Sequence, residues 1–151
     1  MSSTGLKVQS SRRRSPRKST EAQFERKIAK HLDTLGIFSY HVSEKSYMGI
    51  PDRYVAGGRW IEFKQAAVIH GLTPKRLFSS GQLKFMDTFL DAGDTPYVCI
   101  LFQFSEGEPV CVLQGWEEFR EMAGKKWINS YIRASGHPEE EWFDMVKETL
   151  E

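Results

Sequence analysis

Apolar residues recur along this chain with two different periods, and the change of period marks out its elements. Phe24, Ile28, Leu32 and Leu35 stand three or four residues apart, which predicts a helix. Thr20-Glu21-Ala22-Gln23 fits a capping box at its start and Gly36 ends it. Ile37 to Val42 alternates loosely as a first strand, and Ser43 to Gly49 is a polar loop leading to Pro51. Two runs rich in β-branched and aromatic residues follow, about Asp52–Ala56 and Arg59–Gln65, joined at Gly57-Gly58 as a hairpin. Periodicity is lost from Ala66 to Ser80, a stretch carrying His70, Lys75 and Arg76, and loops of that length usually serve a function or move. It returns with Leu83, Met86, Phe89 and Leu90 on a second helix, stopped by Gly93. Tyr97 to Phe104 is the most apolar run and reads as a central strand. Glu106-Gly107-Glu108-Pro109 turns it into Val110–Leu113. Helical patterns then cover Trp116–Ala123, Trp127–Arg133 and an acidic Glu139–Leu150. The order αβββαββ followed by helices predicts an α/β domain, a mixed central sheet flanked by helices.

A chain of 151 residues with 40% hydrophobic composition is one domain with enough material for a core. Its formal net charge of +1 hides a split. Residues 1–19 hold six basic side chains (Lys7, Arg12, Arg13, Arg14, Arg17 and Lys18) and no acid, leaving 15 basic against 20 acidic side chains in the rest. Such an arm suits a polyanion, or is a solvated disordered tail. The expected division is a disordered basic arm over 1–19, a core over 20–114 and a C-terminal helical extension over 115–151. Cys99 and Cys111 lack metal-ligand spacing and sit in apolar runs, as buried free thiols of a reducing compartment do. No apolar run approaches the ~18 residues of a membrane span, and no secretory signal opens the chain. A cytoplasmic protein with no membrane partner is expected.

The chemistry concentrates at the hairpin. Alternate residues of a strand share a face, so Glu62 and Lys64 point with Trp60 while Ile61 and Phe63 point the other way. A charged pair beside a buried strand face needs compensation. Mg²⁺ supplies it, since it takes one or two carboxylates and keeps water and phosphate oxygens as its other ligands. Asp52 joins the pair only if the hairpin has the right register. A two-residue turn at Gly57-Gly58 pairs Asp52 with Phe63 and turns it away. A three-residue loop through Arg59, or a bulge, pairs it with Lys64 and gathers all three groups. The odd loop or bulge is the expectation; the bland alternative is a surface hairpin with a Glu–Lys pair.

Gly49-x-Pro51-Asp52, nine further residues, then Glu62-x-Lys64 resembles the PD-(D/E)XK nuclease superfamily. Ser79-x-x-Gln82 at the next helix resembles its virus-type replication-repair branch, the VRR-NUC domains. The resemblance spans about Thr20 to Phe104. It implies a restriction-endonuclease-like fold, Asp52 and Glu62 as metal ligands, and Lys64 as the residue that positions water or stabilises charge. It implies Gln82 as the group orienting Lys64 or the water, though Ser79-Ser80-Gly81-Gln82 also fits a capping box. A first-helix glutamate belongs to the same set. Glu21 is explained by the helix dipole, so Glu25, beside the apolar stripe and spaced from Gly36 as in archaeal Holliday-junction resolvases, is the expected catalytic residue and further metal ligand.

The resemblance implies a Mg²⁺-dependent DNA endonuclease, with Mn²⁺ able to substitute, acting on branched DNA such as Holliday junctions and working as a homodimer. The helices after Trp116 would serve the dimer or DNA. Arg12, Arg13, Arg14, Arg53, Lys75 and Arg76 are the candidate nucleic-acid contacts, since phosphate contacts ask only for positive charge near the cleft. Other readings are a flap, nicking or restriction-like nuclease, for instance of phage replication, or a DNA-binding module without catalysis. His31 and His41 read as structural, Tyr47 as either a nucleic-acid contact or packing, and Trp116, Trp127 and Trp142 as core or interface.

Overall fold

In a computed structural model, residues 20–43, 49–67, 73–104, 107–122 and 135–151 are described. The basic arm, Tyr47, His70 and the Trp127–Arg133 helix lie outside them. Helix α1 (Glu21–Thr34) opens on the expected capping box, in which Thr20 accepts from the Gln23 amide and Gln23 accepts from the Thr20 amide. It closes at Gly36, whose φ of 74° suits glycine. Strands β1 (Ser39–His41), β2 (Arg53–Val55) and β3 (Arg59–Ala66) follow, then helices α2 (Pro74–Leu77) and α3 (Ser80–Asp91). Strands β4 (Thr95–Phe102) and β5 (Val110–Gly115), and helices α4 (Trp116–Arg120) and α5 (Trp142–Leu150), complete the described elements. The order is the expected one. Two details differ: α2 is a short helix within the stretch that reads as a loop, and a 3₁₀ turn over Glu139–Glu141 precedes α5.

The sheet runs β1-β2-β3-β4-β5, antiparallel except for the parallel β3–β4 pair. A parallel pair needs a crossover, and α2 with α3 supplies it. Strand alternation then sorts the side chains into two cores. On one face Val55, Ile61, Phe63, Cys99, Leu101 and Cys111 pack against Phe24, Ile28 and Leu32 of α1 and Trp142, Met145, Val146 and Leu150 of α5. On the other face Val98, Ile100, Phe102 and Val112 pack against Phe78, Met86, Trp116 and Phe119. Helix α5, within the stretch expected as an extension, thus helps to form the central core. Trp116 and Trp142 are buried, each with its indole N–H donating, to Asp87 and to the His137 carbonyl respectively.

Candidate active site

The hairpin register decides which side chains meet. The loop holds three residues, Ala56, Gly57 and Gly58, so that Val55 pairs with Arg59, Tyr54 with Trp60 and Arg53 with Ile61. The two glycines, at φ 95° and 70°, supply the turn. Odd parity is as expected, but the loop starts one residue earlier, at Ala56 rather than running through Arg59. Continuing the register by one step sets Asp52 level with Glu62, not with Lys64, and on the same face as both. Asp52 Oδ2 accepts a hydrogen bond from the Phe63 N–H at 2.9 Å. A side chain thereby takes a place that a backbone carbonyl would hold had the ladder continued, and it ties the carboxylate beside Glu62.

Glu62 is 3% exposed. Its Oε2 accepts from Gln82 Nε2 at 2.8 Å and lies 3.9 Å from Lys64 Nζ. The Lys64 ammonium sits 5.6 Å from the centre of the Phe78 ring, so an apolar wall flanks its charge. Gln82 caps its helix as its position allows, while its side-chain amide reaches Glu62 and not Lys64, the partner that the resemblance implies. Its backbone N–H donates to Ser79 Oγ at 3.1 Å and its Oε1 accepts from the Ser79 N–H at 2.9 Å, closing the capping box of α3. The amide oxygen is thereby occupied, which turns the NH₂ toward Glu62.

Gly49 fixes the approach of the Gly-x-Pro-Asp segment to this helix. Its φ is 98°, and a Cβ there would stand 2.5 Å from the Gly81 carbonyl carbon and oxygen and 2.8 Å from the Gln82 nitrogen. Only glycine fits, so two of the sequence motifs touch backbone to backbone. Nothing in the spacing of Gly49 and Gly81 announces this contact.

Glu25 is buried as its place beside the apolar stripe suggests, whereas Glu21 is exposed. Its surroundings differ from those expected of a metal ligand. Glu25 Oε2 meets Arg53 Nη1 at 3.1 Å and His41 Nδ1 at 2.9 Å, and Arg53 Nε donates to Ser39 Oγ at 2.9 Å. This cluster lies on the α1 face, because Arg53 pairs with Ile61 and His41 with Arg53. Among the described residues no group of three or more His, Cys, Asp or Glu side chains is placed to hold a metal ion, and Glu25, hydrogen-bonded to Arg53, lies against the sheet face opposite to Asp52 and Glu62. Arg53, expected as a phosphate contact, is 12% exposed and engaged with Glu25; a buried carboxylate draws the nearest guanidinium inward. Lys75 and Arg76 are exposed on α2, just ahead of Gln82. Arg12, Arg13 and Arg14 lie outside the described residues. His41 and Ser39 are the partners that sequence reading missed, and only the β1–β2 register reveals them.

The donor set suits a divalent cation of the hard type. Asp52 and Glu62 offer two carboxylates, which is what Mg²⁺ takes from a protein when water and phosphate oxygens supply the rest. No helix among the described residues is long and apolar enough to cross a membrane.

No protein-family model matches the chain, and no curated protein does. Among solved structures it is similar to Hjc, a Holliday junction resolvase from the archaeal hyperthermophile Archaeoglobus fulgidus. The identity is 18% and the TM-score 0.50, over 81% of this chain and 98% of that one. The chain thus has a restriction-endonuclease-like fold, a mixed five-stranded sheet flanked by helices, similar to that of Hjc.

Proposed function

We propose that this protein is a metal-dependent DNA endonuclease of the VRR-NUC type, cutting branched DNA as a homodimer in the cytoplasm during replication, recombination or repair. The observation that carries the reading is the meeting of three sequence motifs on one sheet face. Asp52 is held by the Phe63 amide, Glu62 is held by Gln82, and Lys64 stands beside Glu62. A surface Glu–Lys hairpin would give no reason for Glu62 to be buried or for a helix-capping amide to grip it. The likeness to Hjc supports the branched substrate by analogy of fold.

In this reading Asp52 and Glu62 hold the cation, Mg²⁺ with Mn²⁺ as substitute. When bound it supplies acidification of water and shielding of phosphate charge. The chain's own residues supply position. Gln82 fixes the rotamer of Glu62, and the Phe63 N–H fixes that of Asp52. Lys64, with Phe78 beside it, offers N–H donors to an attacking water or to a phosphate oxygen that gains charge as the phosphodiester breaks. Lys75 and Arg76 offer phosphate contacts at the same end of α3. Glu25 serves as a brace for Arg53 and His41 rather than as a ligand.

The test is cleavage of a labelled four-way junction and its matched linear duplex, with Mg²⁺, Mn²⁺ or EDTA, by the wild type and Asp52→Ala. Metal-dependent cuts near the branch, absent in the variant, are expected. Equal cutting of both substrates keeps the nuclease and removes the junction preference. Tight binding without cutting under any metal removes the enzyme and leaves a DNA-binding module.

A further inference from the structure

Helix α3 covers only part of its sheet face. It packs over β4, and among the described elements it makes no comparable contact with β1 or β2. Six rings cross the region in a row. Ring centres are 5.9 Å apart for Phe38–Tyr40, 5.5 Å for Tyr40–Tyr54, 5.1 Å for Tyr54–Trp60, 4.8 Å for the stacked pair Trp60–Phe89 and 6.0 Å for Phe89–Phe85. The row ends at the sheet edge, where Phe38 is 64% and Tyr40 49% exposed, the large apolar side chains left open among the described residues. An apolar row on a sheet edge is a surface that proteins cover.

The solvent side of α3 indicates what covers it. Lys84, Thr88 and Asp91 are exposed at i, i+4 and i+7 and border Phe85 and Phe89. Neither Lys84 nor Asp91 joins an ion pair within the described residues. The pattern is complementary to its own reverse. A two-fold axis near Thr88, with α3 antiparallel to its copy, sets Lys84 beside the partner's Asp91 and Phe85 beside the partner's Phe89, each contact occurring twice. Exposed Asp91 beside the rings opposes a phosphate backbone, so charge favours a second protein chain over nucleic acid.

We propose that this face is the dimer interface, and that its occupant is a second copy of the chain joined antiparallel along α3. The inference gives the homodimer of the nuclease reading its surface. It moves the interface away from α4 and α5, whose apolar residues Trp116, Phe119, Trp142 and Met145 point into the two cores. It also ties the two sites together, because Gln82 begins the interface helix. With the axis near Thr88, the rise of the helix and an ordinary helix–helix spacing put the two Gln82 residues about 20 Å apart.

The test is the solution mass of the full chain by sedimentation and light scattering, for the wild type, Lys84→Asp, Asp91→Lys and the double variant. The wild type is a dimer. Each single reversal places like charges across the axis twice and weakens the dimer roughly tenfold or more. The double variant dimerises again, and so does an equimolar mixture of the two single variants, because that pairing restores opposite charges at both contacts. Both substituted positions are on the surface, and matching circular dichroism shows that the fold is kept. A monomeric wild type, or a dimer indifferent to both reversals, overturns the proposal. A monomer that loses DNA binding on Tyr40→Ala also overturns it and gives the rings to nucleic acid. Cleavage is scored separately: a cutting monomer removes only the interface, and a dimer that cuts nothing removes only the nuclease.

Discussion

Glu25 on α1 and Glu62 on β3 are both buried carboxylates, set against opposite faces of one small sheet, and their partners differ in kind. Glu25 is met by a guanidinium at 3.1 Å and an imidazole at 2.9 Å, a charge answered on the spot. Glu62 is met by a neutral amide at 2.8 Å, while the nearest ammonium stands off at 3.9 Å with Asp52, a second carboxylate, level with it. Burial alone therefore does not separate a brace from a working group. The charge of the partners separates them on the proposed reading: Glu25 is answered by cations of its own chain, and Asp52 and Glu62, set side by side, suit a bound cation.

The sharpest way to break this contrast is to remove charge from each cluster in turn. Glu62→Gln or Lys64→Ala should lower junction cleavage by about 10²–10³-fold while leaving the melting temperature within a few degrees of the wild type. If either variant cuts normally, the site is wrongly assigned. Glu25→Ala should behave in the opposite way, costing about 3 kcal/mol of stability in a urea titration, because Arg53 is left buried and unanswered. Replacing Glu25 and Arg53 together by Met should return most of that loss. Glu25→Gln should still bind Mn²⁺ as read by its electron spin resonance; loss of that signal would make Glu25 a ligand after all.

Gln82 stands between the two behaviours and separates them by degree. Ser79→Ala removes one side of the cap and should cost about 1 kcal/mol with cleavage largely kept. Gln82→Ala should cost a similar amount of stability and also lower cleavage, since Glu62 loses its donor. Equal activity in the two variants would reduce Gln82 to a cap. The smallest effect belongs to His31. Burial lowers its pKa below the ordinary 6.5, with Glu139 pulling it back up. The folded state thus binds its proton less readily than the unfolded chain does. Stability from this source is complete above 6.5 and falls on acidification below it. His31→Gln should flatten that part of the stability–pH curve.

The element order was legible because period 3.6 and period 2 alternate cleanly, and because Thr20–Gln23 and Ser79–Gln82 announce helix starts. The parity of the hairpin was legible too, since a metal site at Asp52 and Glu62 needs an odd loop. Its register was not, because Gly57-Gly58 does not say whether Ala56 or Arg59 joins the turn. The Glu25 cluster was hidden for a related reason: His41 reaches Glu25 through a strand pairing between segments that a long loop separates. The stripe of Trp142, Met145, Val146 and Leu150 shows that α5 buries one face, but not that α1 and β5 receive it. Arg53 reads as a surface cation until its neighbour is known.

The shared duty of Gln82 has a consequence for when activity can begin. The same side chain closes the first turn of α3 and grips Glu62 on β3, and Gly49 lies against that turn. The first turn of α3 and the acidic centre therefore share one side chain. A chain still being made, or one that has lost α3, carries Asp52, Glu62 and Lys64 without the amide that grips Glu62. On the proposed nuclease reading, cleavage begins only once α3 is seated against β3.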